Sequence, residues 1–147
     1  LRALALDGAI TDYAATGRPL LGICLGAQII LEHSEEGDVA CLGLIGGRVR
    51  RLDVPDGAKV PHMGWNEVEF TRDHPIWDGL AAGSSFYFVH SYAPAPADGT
   101  TAIGTTDYHG TFVSALAASN IVACQFHPER SGRIGLKLLD NFLSWNP

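Results

Sequence analysis

The chain has 147 residues, 46% of them hydrophobic, a net charge of −6 and three cysteines. That length fits one domain able to bury roughly 68–70% of its unfolded surface without staples, and three cysteines with no C-x-x-C spacing argue against a disulfide scaffold or a zinc site. With no cationic cluster beyond Arg48, Arg50 and Arg51, and no apolar run near the roughly 18 residues of a membrane span, neither nucleic acid nor a bilayer is the expected partner, and a soluble domain in a reducing cytoplasm is.

Leu1, Leu4, Ala5, Ile10, Tyr13 and Ala14 fall near one helical face that ends at Gly17, and Arg18-Pro19 leads into an apolar strand from Leu20. The opening at Leu1, already in mid-pattern, reads as the middle of a longer protein. The strand stops at Gly22-Ile23-Cys24-Leu25-Gly26 and an amphipathic pattern follows, predicting a helix over 25–33 and a polar loop over 34–38. Strand signals recur at 44–52, 65–70, 86–92, 101–106, 111–116 and 121–126, while the Pro/Ala-rich stretch 93–99 reads as a loop. A helix is predicted over 131–145 from Ile134, Leu138, Leu139, Phe142 and Leu143, with Ser131 as its N-cap. The order is α/β, a sheet bracketed by helices.

Gly-x-Cys-x-Gly at a strand-to-helix junction has the form of a nucleophile elbow. Glycines on both sides let the chain turn sharply, and a thiol there meets the positive end of the next helix, which favours thiolate. Taken alone the motif could equally be a tight turn over a buried thiol. A cysteine nucleophile needs a base oriented by a third group, and His127-Pro128-Glu129 offers both just past an apolar strand, about a hundred residues later. Cys41 and Cys124 lie in apolar stretches and read as packing residues. His33, His74 and His109 read as solvated, the Arg48–Arg51 cluster as a solvated strand face, and no residues have metal-ligand spacing.

Together, Gly-Ile-Cys-Leu-Gly-Ala-Gln at 22–28 and Gln-Phe-His-Pro-Glu at 125–129 resemble the class I glutamine amidotransferases. Residues 59–66, 86–92 and 104–106 are similar to the glutaminase subunits of imidazole glycerol phosphate synthases, a family of histidine biosynthesis. The resemblance implies a flavodoxin-like three-layer α/β sandwich with a mixed, mainly parallel central sheet and a small antiparallel sheet. It also implies that residues 1–147 form a single amidotransferase domain lacking roughly its first third. That third would hold a Pro-Gly-x-Gly loop supplying a second oxyanion donor, whose loss costs on the order of 10²–10³ in kcat.

The same resemblance implies roles. Cys24 would attack L-glutamine, His127 would move the proton, Glu129 would orient His127, and the Leu25 N–H would hold the oxyanion. Gln28, Ser91 and Tyr92 would bind the amino-acid end of the substrate. Ammonia would pass to a (β/α)₈ cyclase subunit in a heterodimer, without a cofactor or metal, and His62, Met63, Trp65 and Asn66 would face that partner. His62 and His90 otherwise read as structural, and Trp65 as a core aromatic. Ala27 stands where relatives more often have Met, and Arg130 where Lys is common. A glutaminase for another synthase, a γ-glutamyl hydrolase and an inactive binding module are the other readings.

Overall fold

Four consecutive apolar residues, Ile121-Val122-Ala123-Cys124, form strand β10, and all four are buried, as a strand is only when both of its faces are covered. In the computed structural model, which describes residues 1–147, alternate residues of β10 enter two different cores. Val122 and Cys124 join Phe86, Phe88, Phe126 and Leu138 on one face. Ile121 and Ala123 join Ala14, Ala27, Ile30 and Val49 on the other. The expected three layers follow from this alternation.

In chain order the elements are α1 (Leu6–Ala15), β1 (Leu20–Ile23), α2 (Leu25–Ile29), β2 (His33–Ser34), β3 (Val39–Ala40), β4 (Gly47–Arg51), β5 (His62–Phe70), β6 (Ser84–His90), β7 (Tyr92–Pro96), β8 (Ala102–Asp107), β9 (Thr111–Ala118), β10 (Ile121–Cys124) and α3 (Gly132–Ser144). The larger sheet has the order β1-β10-β9-β8-β5-β6, the smaller one β3-β2-β4-β7. The α3 side chains Leu138, Ile134 and Phe142 close the first core, and α1, α2 and the C-cap of α2 supply Ala14, Ala27 and Ile30 to the second.

The larger sheet is mixed, as expected, but not mainly parallel. Of its neighbouring strands only β1 and β10 run parallel; the remaining pairs are antiparallel. The cause is connection length, because β8, β9 and β10 follow one another through short turns, and a short turn can only reverse a strand. The smaller sheet is likewise mixed rather than antiparallel, since β2 pairs parallel with β4.

Three local expectations are also corrected. The helix predicted over 25–33 stops at Ile29, because the chain from Glu32 onward bonds to β4: the Glu32 N–H donates to Gly47 O at 3.0 Å and the Glu35 N–H to Val49 O at 3.1 Å. The 93–99 loop is in part a strand, β7, at the edge of the smaller sheet. Leu52 N donates to Ser91 O and Ala97 N to Gly46 O, so the ladder bonds fall on odd residues of β7, and Pro94 and Pro96 occupy positions where no N–H is needed. The first segment is a 3-10 turn, Arg2–Leu4, then α1, separated by Ala5 in the left-handed region at φ 51°. The Arg48, Arg50 and Arg51 side chains are exposed around buried Val49, as predicted for a solvated face.

Candidate active site

The elbow forms because β1 ends against α2 with no room for a side chain at Gly22. A Cβ there would lie 2.8 Å from the Gly26 carbonyl carbon and 2.9 Å from its oxygen. Gly26 itself faces open space, so only the first of the two glycines is sterically required. Cys24, between them, adopts φ 50° and ψ −101°, a conformation costing on the order of 1–3 kcal/mol in a non-glycine residue and found mostly where function holds it. Its N–H donates to Cys124 O at 2.8 Å, which continues the parallel ladder one step past the strand ends.

That ladder brings the distant motifs together. Ile23 is in register with Cys124, so Cys24 and the 125–129 segment leave the same edge of the sheet side by side. His127 Nδ1 lies 2.6 Å from Glu129 Oε1, and the carboxylate, having no proton to give, makes Nδ1 the protonated nitrogen. Nε2 is buried and makes no hydrogen bond, so its lone pair is unspent. His127 N donates to Tyr87 O at 2.8 Å. Ser131 does not cap α3 with its side chain as expected: its hydroxyl donates to His127 O at 2.6 Å and accepts from Tyr87 N at 2.9 Å, tying the His127 segment to β6.

The sulfur is less acidic than the elbow alone suggests. Burial pushes the Cys24 thiol above its ordinary pKa and the Glu129 charge adds to this, against the N–H of Leu25 and the side chain of Gln125, which lower it. Cys124 is fully buried and pushed much higher, consistent with a packing role, whereas Cys41 is half-exposed.

Cys24, Leu25, Gln28, Ser91 and Tyr92 line one cleft of about 290 Å³ with His90 and Val89. A larger cleft of about 750 Å³, between Trp77 and Trp145, is lined by no cysteine. Gln28 is nearly buried and its amide is occupied: Nε2 donates to Tyr92 O at 3.1 Å and to Gln125 Oε1 at 3.0 Å. Only its oxygen is left for a ligand. Gln125, fully buried, donates from Nε2 toward Cys24 Sγ at 3.7 Å. Gln125 sits within the 125–129 motif without an implied role, and its being a lone polar residue inside the apolar run 121–126 is the sequence signal that marks it.

His62, expected at a partner surface, points inward and is only 3% exposed, because strand alternation puts 62, 64, 66 and 68 on the inner face of β5. Met63 and Trp65, at 63% and 60% exposure, occupy the outer face, and Asn66 is half-buried. His62 stacks between Phe88 and Tyr108 and its Nδ1 is 2.9 Å from His90 Nε2, while His90 Nδ1 is 2.8 Å from Tyr92 O. Of the histidines read as solvated, only His109 is exposed. His33 bonds Asp38 at 3.0 Å, and His74 accepts from Ile76 N at 3.2 Å.

Burial lowers the pKa of both His62 and His90 to about 4, against 6.5 in an unfolded chain. Between those values the unfolded chain binds more protons. The contribution is therefore complete above pH 6.5 and is lost as pH falls toward 4. Stability should drop by about 2 kcal/mol for each histidine, on the order of 4 kcal/mol for the two, between pH 7.5 and pH 5, visible as a fall in the urea midpoint. A His62→Phe/His90→Phe double variant should flatten that dependence.

An α/β sheet with a thiol on a strained strand-to-helix corner, and a His–Glu pair on the segment that follows the adjacent parallel strand, has the set of groups used by cysteine enzymes that open amides. The class-I glutamine amidotransferase family matches residues 5–145, and the chain belongs to it. It is 49% identical to the imidazole glycerol phosphate synthase subunit HisH of Aromatoleum aromaticum, over 100% of this chain and 74% of that protein. It is 52% identical to the HisH subunit of Nitrosococcus oceani, over 99% of this chain and 70% of that one. A glutamine amidotransferase structure from Thermotoga maritima superposes with a TM-score of 0.65 at 19% identity, covering 97% of this chain and 54% of that one, a likeness of fold.

Proposed function

We propose that the chain hydrolyses L-glutamine to glutamate and ammonia as the glutaminase subunit of an imidazole glycerol phosphate synthase in cytoplasmic histidine biosynthesis. The observation that carries this reading is the His127–Glu129 pair, with Nε2 unspent, at the sheet edge where the elbow raises Cys24. His127 Nε2 takes the thiol proton as Sγ bonds to the carboxamide carbon, and the carbonyl oxygen becomes an oxyanion facing the Leu25 N–H. Collapse breaks the C–N bond, ammonia leaves with the proton from His127, and a γ-glutamyl thioester remains. Water, deprotonated by the same nitrogen, opens the thioester and restores the thiol. Glu129 stabilises the imidazolium that forms twice in the cycle.

Ser91, Tyr92 and the free oxygen of Gln28 are the groups available to the amino-acid end of glutamine in the 290 Å³ cleft. The partner is a (β/α)₈ cyclase subunit that receives the ammonia. Its docking surface is the outer face of β5, where Met63 and Trp65 stand exposed, Trp65 meets Tyr87 edge-on at 6.2 Å and Arg130 lies 5.0 Å over the Tyr87 ring. This surface joins the catalytic corner through Arg130, the residue after Glu129.

An electrophilic glutamine analogue, 6-diazo-5-oxo-L-norleucine, tests the reading. It should label Cys24 at one equivalent per chain, with Cys41 and Cys124 unmodified, and excess L-glutamine should protect. Folded protein in which Cys24 stays unlabelled would instead be a binding module that does not open amides.

A further inference from the structure

One nitrogen donor reaches the Cys24 sulfur, the side-chain amide of Gln125 at 3.7 Å, and it is aimed by a chain of bonds whose direction can be worked out atom by atom. The Tyr92 carbonyl can only accept, so the Gln28 atom 3.1 Å from it is the amide nitrogen. That nitrogen also faces Gln125 at 3.0 Å, so the Gln125 atom there is the oxygen. Gln125 is then obliged to turn its own nitrogen, and not its oxygen, toward Sγ.

The same carbonyl takes a second bond from the other side. His90 Nδ1, 2.8 Å away, must carry a proton to donate to it, which leaves Nε2 as acceptor for the Nδ1 proton of His62 at 2.9 Å. His62 Nε2 is then an acceptor for the Asn66 amide at 3.2 Å, and the other Asn66 hydrogen goes to Asp107 O at 2.8 Å. Every donor from β5 to the sulfur is thus assigned a single orientation. A buried polar chain in which all members are satisfied holds its geometry tightly, because any flip strands a buried donor or acceptor.

We propose that Gln125 is a positioning residue for the Cys24 sulfur, locked by Gln28 and the doubly bonded carbonyl of Tyr92 so that it presents an N–H to the thiolate. This rests on the reading of Cys24 as the nucleophile. An N–H directed at sulfur favours the anion and limits the rotamers from which it can attack, while an amide oxygen in the same place would repel it. The fixed amide therefore opposes the burial that holds this thiol protonated.

The test follows the ionisation of the sulfur and not turnover. In the full chain, alkylation of Cys24 by iodoacetamide is followed against pH by mass spectrometry of the Cys24 peptide. Gln125→Met, nearly isosteric and without a donor, should move the alkylation midpoint up by about one pH unit, roughly a tenfold loss of rate at fixed pH below the midpoint. Gln28→Met, which frees the Gln125 amide to turn, should move it the same way. An unchanged midpoint in folded Gln125→Met overturns the proposal.

Wild-type protein provides a readout that survives if the variants do not fold. The Gln125 side-chain NH₂ resonances in ¹⁵N-labelled protein should shift with the titration of Cys24, and should stop doing so once Cys24 is alkylated. Resonances that stay fixed through that titration overturn the proposal equally. If instead glutamine turnover persists in Cys24→Ala, the nucleophile reading has failed, whatever the alkylation profile shows.

Discussion

Cys24→Ala is expected to reduce glutamine turnover by at least about four orders of magnitude, because groups of a catalytic triad act as a unit and removal of the nucleophile forfeits the covalent route altogether. Turnover is read as glutamate released, with the cyclase subunit present. Fold stability should change by less than about 1 kcal/mol, because Cys24 is half-exposed and its main-chain bond to Cys124 O survives the substitution. Cys41→Ala should leave turnover within about twofold, since that thiol donates to the Val39 carbonyl and burial raises its pKa. Equal losses from the two substitutions would mean that the chain's thiols act through folding and not through chemistry.

Gly135→Ala is expected to have the largest effect on the fold of any single methyl group. Gly135 lies on the face of α3 against the 3-10 turn Pro128–Arg130, and a Cβ there would run into the Pro128 carbonyl oxygen and approach Ser131 Cβ to 2.8 Å. Both obstacles are rigid: one is main chain and the other belongs to the residue whose hydroxyl bridges His127 O and Tyr87 N. The helix must retreat from the turn, at about 3 kcal/mol or more, which for a domain of this size lowers Tm by about 10 °C. Because the turn carries Glu129, activity at temperatures where the variant is still folded should fall as well. Gly26→Ala, at a glycine with open space around it, is the matched control and should be neutral or stabilising.

Gly22 and Gly26 mark where reading by residue type reaches its limit. Gly22 and Gly26 are equivalent in the motif, and only the packing of α2 on β1 makes one indispensable and leaves the other free. The same limit explains the β7 strand. Pro94 and Pro96 rightly argue against a strand in general, and only the bonding phase of the β4–β7 ladder shows that neither N–H was required. His62 and His90 lie 28 residues apart and read singly as structural or partner-facing residues; paired across β5 and β6 they form one buried hydrogen-bonded pair.

What the linear order of residues determined by itself was local chemistry: a cysteine bracketed by glycines between a strand and a helix, a histidine two residues from a glutamate after an apolar strand, and the periodicities that define the helices and most strands. Such features depend on neighbours within a few positions, where backbone sterics and side-chain spacing act directly. The tertiary structure alone decided that β1 and β10 run side by side, that Tyr92 and Gln125 take the amide nitrogen of Gln28 and leave its oxygen, and that burial raises the pKa of Cys24. These are consequences of contacts between residues far apart in the chain, and the desolvation and hydrogen bonding they bring have no counterpart in local spacing.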